Sequence, residues 1–218
     1  MKINVKGPII PNAYKPAYDF FGIEAVCPAD VIKALETANG EFVEVYINSG
    51  GGSVWAGDEM YTALLEYPGG VEERIVGLAG SAASIVAMAR RCIISPVGQI
   101  MIHNVSSSAD GDYRAMHHTG DMLDNATDAL ANAYMKKCGK TRAEIRAMMD
   151  KETWLTAPQA LEMGLVDGIM EANLVAGIVD GMLPDAVVKR TLAQLQAGKT
   201  AALETARNAY DILTKKEI

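Results

Sequence analysis

Residues 42–52 read FVEVYINSGGG, in which apolar and polar residues alternate before three consecutive glycines. Alternation of this kind predicts a strand that has one face in the core and ends near Ile47. The glycines Gly50, Gly51 and Gly52 predict a tight turn whose backbone N–H groups are accessible, because no Cβ blocks the approach of another group. This stretch therefore predicts a strand followed directly by a candidate functional loop.

The segments around this strand predict an α/β fold. Before it, residues 3–10 alternate in part like a strand, and residues 28–38 carry apolar residues at helical spacing. After it, the predicted elements are helices at 54–67, 79–89 and 113–137, strands at 74–77, 92–95, 99–102 and 165–167, and two short helices with capping boxes at Thr141 and Thr156. Strands that alternate with helices at this spacing predict a mainly parallel sheet with helices on its faces.

The composition limits the class of protein. The chain has 218 residues, a formal net charge of −7 and a pI of about 5.0, which argue against a nucleic-acid-binding protein. No apolar run has the length of a signal peptide or membrane span, so we expect no membrane partner. The three cysteines are widely spaced and lack metal-site spacing, so we expect reduced thiols, no metal or cofactor, and a cytoplasmic location.

Two serines and one histidine are candidates for nucleophilic catalysis. Ser81 and Ser84 lie among small residues at the predicted start of a helix, and either can be a nucleophile or a helix N-cap. His103 follows a predicted strand, where it can act as a general base or be a buried structural histidine. His117 and His118 are adjacent within the long helix, and we expect them to face solvent. The spacing alone does not choose between the two serines.

The glycine turn has three interpretations. A phosphate-binding P-loop requires a Lys-Ser/Thr pair after its last glycine, whereas this chain continues with Ser53 and Val54. The dinucleotide-binding pattern requires a third glycine at the position of Trp55. An oxyanion-binding loop and a plain tight turn both remain.

Four segments in fixed order resemble the proteolytic subunit of the Clp protease family, and they are residues 47–52 (INSGGG), 80–84 (GSAAS), 101–104 (MIHN) and 154–167 (WLTAPQALEMGLVD). The resemblance covers about residues 3–171. It implies a serine protease domain over residues 1–171, built from the repeated β-β-α units that this family shares with crotonases. It also implies a helical handle at about 113–137. The composition after Glu171 predicts a helical C-terminal extension over residues 172–218.

The resemblance also implies the roles of the site residues. The nucleophile is implied to be the serine after two alanines, Ser84, with His103 as the general base. The oxyanion donors are implied to be the backbone N–H groups of Gly52 and Ile85. The third member of the triad is an Asp in the family, but Glu152 occupies that position here, with Asp150 as the alternative.

Partners follow from the same resemblance. The family forms homo-oligomeric rings, heptameric and stacked, that act on polypeptide substrates. The chain is similar to the phage and prophage branch of the family in three features, namely a short N-terminus, Glu152 and the C-terminal segment. This similarity implies a role in capsid (prohead) maturation, with a capsid or scaffold protein as substrate. Only Met1 and Lys2 precede the first predicted strand, so docking of an ATPase unfoldase is not expected. Three alternatives stay open, namely protein degradation with such an ATPase, an inactive ring-forming assembly scaffold, and a crotonase-type acyl-CoA enzyme that needs no Ser–His pair.

Overall fold

The computed structural model describes residues 1–170. Its strands are β1 (Lys2–Lys6), β2 (Val43–Ser49), β3 (Val71–Gly80), β4 (Arg91–Ile94), β5 (Gln99–Ile102), β6 (Thr153–Thr156) and β7 (Gly168–Ile169). Its helices are α1 (Lys15–Phe21), α2 (Pro28–Ala38), α3 (Val54–Glu66), α4 (Ala82–Val86), α5 (Tyr113–Cys138), α6 (Arg142–Met149) and α7 (Ala157–Glu162). The predicted helical extension over residues 172–218, with its boundary near 171, lies outside the described residues.

The main sheet is parallel, as the alternation of strands and helices predicts. Its strand order is β1-β2-β3-β4-β7, and each neighbouring pair on this path runs in the same direction. Alternate residues of β2, including Val43, Val45 and Ile47, are fully buried. Each parallel strand therefore contributes side chains to a core that is closed by helices.

Strand β3 has two different partners on the same side, and this branching positions the candidate site. Its first half, Glu72–Ile75, pairs with β4, whereas its last residues, Leu78–Gly80, pair with β5. Strand β5 in turn pairs with β6 in the antiparallel direction. Gly80 is opposite Met101 in this register, so the residues that follow β3 and β5 emerge side by side.

Both predicted capping boxes are confirmed. At the start of α6, the Thr141 hydroxyl accepts from the Glu144 backbone N–H, and the Glu144 carboxylate accepts from the Thr141 backbone N–H. At the start of α7, the Gln159 side-chain oxygen accepts from the Thr156 backbone N–H at 2.9 Å. These reciprocal bonds satisfy donors that the first turn of a helix leaves unpaired.

Helix α5 is packed only in its second half. It begins after Asp112, whose carboxylate accepts from two backbone N–H groups of the first turn, and it ends at Gly139, which has a left-handed backbone. Its buried residues are Thr127, Leu130, Ala131, Ala133 and Tyr134. The apolar residues Leu130 and Tyr134 of this helix are therefore buried, whereas Met116 remains exposed.

Three predicted elements have different bounds in the structure. The helix predicted at 79–89 is only Ala82–Val86, because β3 extends to Gly80 through its pairing with β5. Pairing with β2 from Val71 onward and with β5 up to Gly80 explains why β3 is much longer than the predicted strand at 74–77. The last strand is Gly168–Ile169 rather than 165–167, because Leu165 instead closes the turn after α7 with a hydrogen bond to Ala160.

Candidate active site

Ser81 and His103 form the only serine–histidine hydrogen bond within residues 1–170. The distance from Ser81 Oγ to His103 Nε2 is 2.7 Å, which is typical of a strong hydrogen bond. Ser81 directly follows strand β3, and His103 directly follows strand β5. The backbone N–H of Ser81 donates to the Met101 carbonyl at 2.9 Å. The pairing of these two strand ends thus places a hydroxyl next to a potential general base.

The backbone of Ser81 is held in an uncommon conformation. Its φ of 53° and ψ of −126° lie in a region that favours glycine. Residues held in such regions cost about 1–3 kcal/mol each and are enriched at active sites. Here the conformation makes a sharp turn between β3 and α4 that leaves the Ser81 side chain half-buried, beside His103.

The structure does not place Ser84, the expected nucleophile, beside His103. Ser84 is completely buried within α4, where its Oγ lies 2.6 Å from the Ser81 carbonyl oxygen and 2.7 Å from the Tyr134 hydroxyl. No histidine contacts it among the described hydrogen bonds. The physical reason is the branching of β3: its pairing with β5 ends at Gly80, so the next residue, Ser81, is the one beside His103.

The glycine loop packs directly against Ser81. A Cβ added to Gly51 would lie 2.7 Å from the Ser81 Cβ and 2.9 Å from the Ala82 backbone nitrogen. Gly51 also has a φ of 98°, which L side chains rarely adopt. Both the space and the backbone conformation therefore require glycine at this position.

The backbone N–H of Gly52 points away from the neighbouring chain at Ile9. Ile9 donates its N–H to the Gly51 carbonyl at 2.9 Å and accepts from the Ser53 N–H at 2.8 Å. In parallel pairing, this pattern points the N–H of the intervening residue away from the Ile9 chain. Since the adjacent Gly51 packs against Ser81 and Ala82, the free Gly52 N–H is a candidate donor to an anion formed at Ser81.

The second expected oxyanion donor is the backbone N–H of Ile85, which directly follows Ser84 and not Ser81. Ile85 is one turn inside α4 and is buried, so its N–H does not follow the residue beside His103. Ala82 follows Ser81 directly and is the first residue of α4. An N–H at the first position of a helix has no partner within the helix, so the Ala82 N–H is available as a donor directly after Ser81.

The pairing of β5 with β6 brings the two candidate acids near His103, but neither forms a hydrogen bond with it. The pairing of Ile102 with Thr153 is the last step of the β5–β6 ladder, and one further step places Glu152 across from His103. The Glu152 carboxylate accepts from the Trp154 indole N–H at 3.2 Å, and Asp150 accepts from the Asn104 amide at 2.8 Å. Within residues 1–170 the structure therefore contains a Ser–His dyad and no carboxylate hydrogen bond to the histidine.

A small cavity of about 40 Å³ opens beside the dyad. Its lining residues are Val54, Ser81, His103, Val105, Ser106, Leu130 and Tyr134. The walls away from the dyad are mostly apolar, so the cavity suits an apolar group of a substrate. His117 and His118 do not take part, because both are exposed on α5, as expected.

Sequence reasoning missed Tyr134 as a member of the site. The sequence places Tyr134 only within the predicted helix at 113–137, yet its hydroxyl hydrogen-bonds to Ser84 next to the dyad. Burial raises the pKa of the Tyr134 hydroxyl, so it stays protonated and able to donate. The one available signal was a hydroxyl-bearing residue at a core position, since a buried tyrosine usually finds a hydrogen-bond partner.

No helix in the described part of the chain is long and apolar enough to cross a membrane.

Comparison with solved structures finds the same fold in a variant of ClpP1 from Listeria monocytogenes. The two share 20% sequence identity with a TM-score of 0.66, over 79% of this chain and 92% of the other.

Sequence comparisons identify the relatives of the chain. It is 33% identical to the ATP-dependent Clp protease proteolytic subunit 1 of Chlamydia abortus, over 65% of this chain and 79% of that protein. It is 29% identical to the ATP-dependent Clp protease proteolytic subunit of Porphyromonas gingivalis, over 66% of this chain and 69% of that protein. The family model described as Clp protease matches residues 26–173. The chain therefore belongs to the Clp protease family.

Proposed function

We propose that this chain is a serine endopeptidase in which Ser81 is the nucleophile and His103 is the general base. The 2.7 Å hydrogen bond between their side chains is the observation that carries the proposal. Ser81 Oγ attacks the carbonyl carbon of the scissile peptide while His103 Nε2 takes the hydroxyl proton. The imidazolium then gives that proton to the leaving amine, and an acyl-enzyme remains on Ser81. Water, activated by His103, hydrolyses this ester and restores both side chains.

The oxyanion of the tetrahedral intermediate is bound, in this proposal, by the backbone N–H groups of Gly52 and Ala82. Two features support this assignment: the direction of the Gly52 N–H and the position of Ala82 directly after the nucleophile. Backbone donors fixed by a turn and a helix start need no reorganisation during the reaction, which is where oxyanion holes gain their effect.

A fluorophosphonate probe tests the proposal, because such probes form a bond only with an activated serine. We expect the wild-type chain to be labelled once, on Ser81. Trypsin should release residues 75–90 as a single peptide that contains both Ser81 and Ser84, since cleavage follows Arg74 and Arg90. Fragment ions that place the added mass on residue 81 support the proposal, whereas mass on residue 84, or none, contradicts it.

Two matched variants control the labelling. Ser81→Ala should remove the label completely, and Ser84→Ala should retain it at a reduced rate. Circular dichroism of both variants shows whether the fold is preserved. Labelling of Ser81→Ala as fast as wild type would refute the assignment of the nucleophile.

Glu152 is proposed as the third member of the triad. Its place across from His103 in the β5–β6 register supports this role, and its exposed side chain gives up only the 3.2 Å contact with Trp154 when it turns to the imidazole. A carboxylate there would fix the tautomer of His103 and stabilise its cation. Asp150 is the weaker candidate, because it already accepts from Asn104 at 2.8 Å.

Substitution of the two carboxylates separates these roles. We expect Glu152→Gln to lower kcat for peptide cleavage by at least tenfold, and Asp150→Asn to lower it only about twofold, because only the first removes the partner of the imidazolium. Steady-state kinetics on a fluorogenic peptide provides the measurement. The opposite order would transfer the role to Asp150, and two unaffected variants would mean that the dyad acts alone.

Assembly into a homo-oligomeric ring, heptameric and stacked, is proposed on the basis of α5. The first half of this helix exposes Tyr113, Met116 and Met122, which are 72%, 42% and 45% accessible. Such large apolar side chains on one exposed helix are suited to contact with a neighbouring subunit. Native mass spectrometry tests this directly, and a fully active monomer would contradict it.

The substrate is proposed to be a polypeptide, with a capsid or scaffold protein as its specific form. The replacement of the family Asp by Glu152 supports the phage branch. The alternative is degradation of proteins together with an ATPase unfoldase, and it is favoured by the names of the relatives, which are ATP-dependent Clp subunits. Cleavage of a disordered polypeptide without ATP, compared with cleavage of a capsid protein, separates the two.

A further inference from the structure

Ser84 and Tyr134 form a buried polar pair that the proposed mechanism does not use. Ser84 is completely buried and Tyr134 is 1% accessible, and their hydroxyl oxygens are 2.7 Å apart. The pair joins α4, which follows the nucleophile, to α5. Polar groups buried at this depth are costly unless they are hydrogen-bonded, so their retention beside the dyad requires an explanation.

The direction of the two hydrogen bonds follows from the number of hydrogens that each group can donate. The Ser81 carbonyl can only accept, so the single hydroxyl hydrogen of Ser84 is donated to it across 2.6 Å. Tyr134 must then be the donor to Ser84. The result is a chain of hydrogen bonds from Tyr134 through Ser84 to the Ser81 carbonyl.

The end of this chain is the peptide group of the candidate nucleophile. The Ser81 carbonyl accepts a second hydrogen bond from the Ser84 backbone N–H, at 2.9 Å. Two donors from Ser84 therefore hold the peptide plane that follows Ser81, and this plane also carries the Ala82 N–H. The φ of 53° at Ser81 is a strained conformation that persists only where its surroundings fix it.

We propose that Ser84 and Tyr134 are positioning residues that lock the Ser81 turn, so that the Ser81 hydroxyl and the Ala82 N–H keep the orientation the acylation step requires. This inference rests on the proposed function, because it concerns the same nucleophile. The Ser84 and Tyr134 hydroxyls bond to each other and make no hydrogen bond to the side chains of the dyad. They act through the Ser81 carbonyl, and they couple the nucleophile turn to α5.

The test compares Tyr134→Phe, Ser84→Ala and the double variant for the rate of fluorophosphonate labelling and for Tm. We expect each single variant to be labelled about tenfold more slowly, because each loses one link of the chain. Ser84→Ala should also lower Tm, since it leaves the Tyr134 hydroxyl buried without a partner. The double variant removes both hydroxyls and should recover most of the Tm while its labelling stays slow.

That separation of Tm from labelling rate distinguishes positioning from a purely structural role. Tyr67→Phe is the matched control, because it also removes a buried tyrosine hydroxyl, which donates to the Glu41 carbonyl at 2.8 Å. Glu41 and Tyr67 precede the starts of β2 and β3, respectively, at the end of these strands opposite to Ser81. It should change Tm alone. A double variant labelled at the wild-type rate, or slow labelling in Tyr67→Phe as well, would overturn the proposal.

Amide hydrogen exchange makes the inference testable even if Ser81 is not labelled in the wild type. In that case the proposed function fails, but the hydrogen-bond chain still predicts faster exchange of the Ser84 amide in Tyr134→Phe, measured on the peptide that covers residues 80–86. Exchange at the wild-type rate in that variant would show that Tyr134 does not hold the turn. Faster exchange of the Ser84 amide would support the proposal that Tyr134 and Ser84 hold the Ser81 turn.

Discussion

Ser81→Ala is expected to reduce peptide cleavage by roughly four powers of ten or more, because it removes the atom that attacks the carbonyl carbon. Ser84→Ala should reduce cleavage only about tenfold, since Ser84 supports the turn without contacting His103. The measurement is kcat/KM on a fluorogenic peptide, repeated with a disordered polypeptide. The contrast is large because Ser81, and not Ser84, forms the 2.7 Å hydrogen bond to His103.

His103→Ala is the complementary variant. It should be as inactive as Ser81→Ala, and the double variant should be no worse than either single one, because the two residues act as a unit. An inactive Ser84→Ala beside an active Ser81→Ala would return the nucleophile to Ser84 and would require a different arrangement of α4.

Glu73→Gln is expected to abolish a loss of stability that the wild type undergoes as the pH rises. Glu73 lies on β3 and is completely buried, and its two carboxyl oxygens lack a hydrogen-bond partner within residues 1–170. Burial is the main cause that raises the pKa of this carboxyl from 4.5 to about 8. The charged form is therefore strongly disfavoured in the folded chain.

The groups around Glu73 only partly oppose this effect of burial. Arg90 and Lys137 favour the charged form, whereas Asp167 disfavours it. Lys137 is itself occupied, because its ammonium donates to the Asp167 carboxylate and to the Arg90 carbonyl, both at 2.6 Å. Burial is the main cause that raises the pKa of Tyr61 and of Cys92, and the negative charge of Glu73 raises both further.

The sign of the pH dependence follows from proton binding. Below pH 4.5 the Glu73 carboxyl is protonated in both the folded and the unfolded chain, so it adds no penalty to folding. Between pH 4.5 and about 8 the unfolded chain releases this proton while the folded chain keeps it, so the free energy of unfolding falls. The contribution lost over this range is roughly 3–5 kcal/mol.

Thermal unfolding at several pH values checks the prediction. The Tm of Glu73→Gln should exceed that of the wild type by an amount that grows from pH 5 to pH 9, because glutamine stays neutral throughout. Glu59→Gln replaces an exposed carboxyl on α3 and serves as the control, with no comparable growth expected. A constant difference between Glu73→Gln and the wild type would mean that Glu73 is already charged in the folded chain at neutral pH.

Local sequence signals determined most of the secondary structure. The alternation that ends at Ile47 and the glycines after it gave the β2 strand and its turn, because side-chain period and backbone freedom are properties of the residues themselves. The capping boxes at Thr141 and Thr156 are equally local, since each needs only residues three positions apart. These elements, and the mainly parallel sheet that their alternation implies, agree with the structure.

Only the tertiary structure decided which serine faces the histidine. In sequence, Ser81 and Ser84 each follow two small residues, and the helix propensity of that segment says nothing about where β3 stops. Strand β3 continues to Gly80 because β5 pairs with its final residues, and this pairing places Ser81 beside His103 and buries Ser84 against Tyr134. The sequence by itself determined the kinds of residue in the site. Their arrangement depends on a contact between strands about twenty residues apart, which no local pattern encodes.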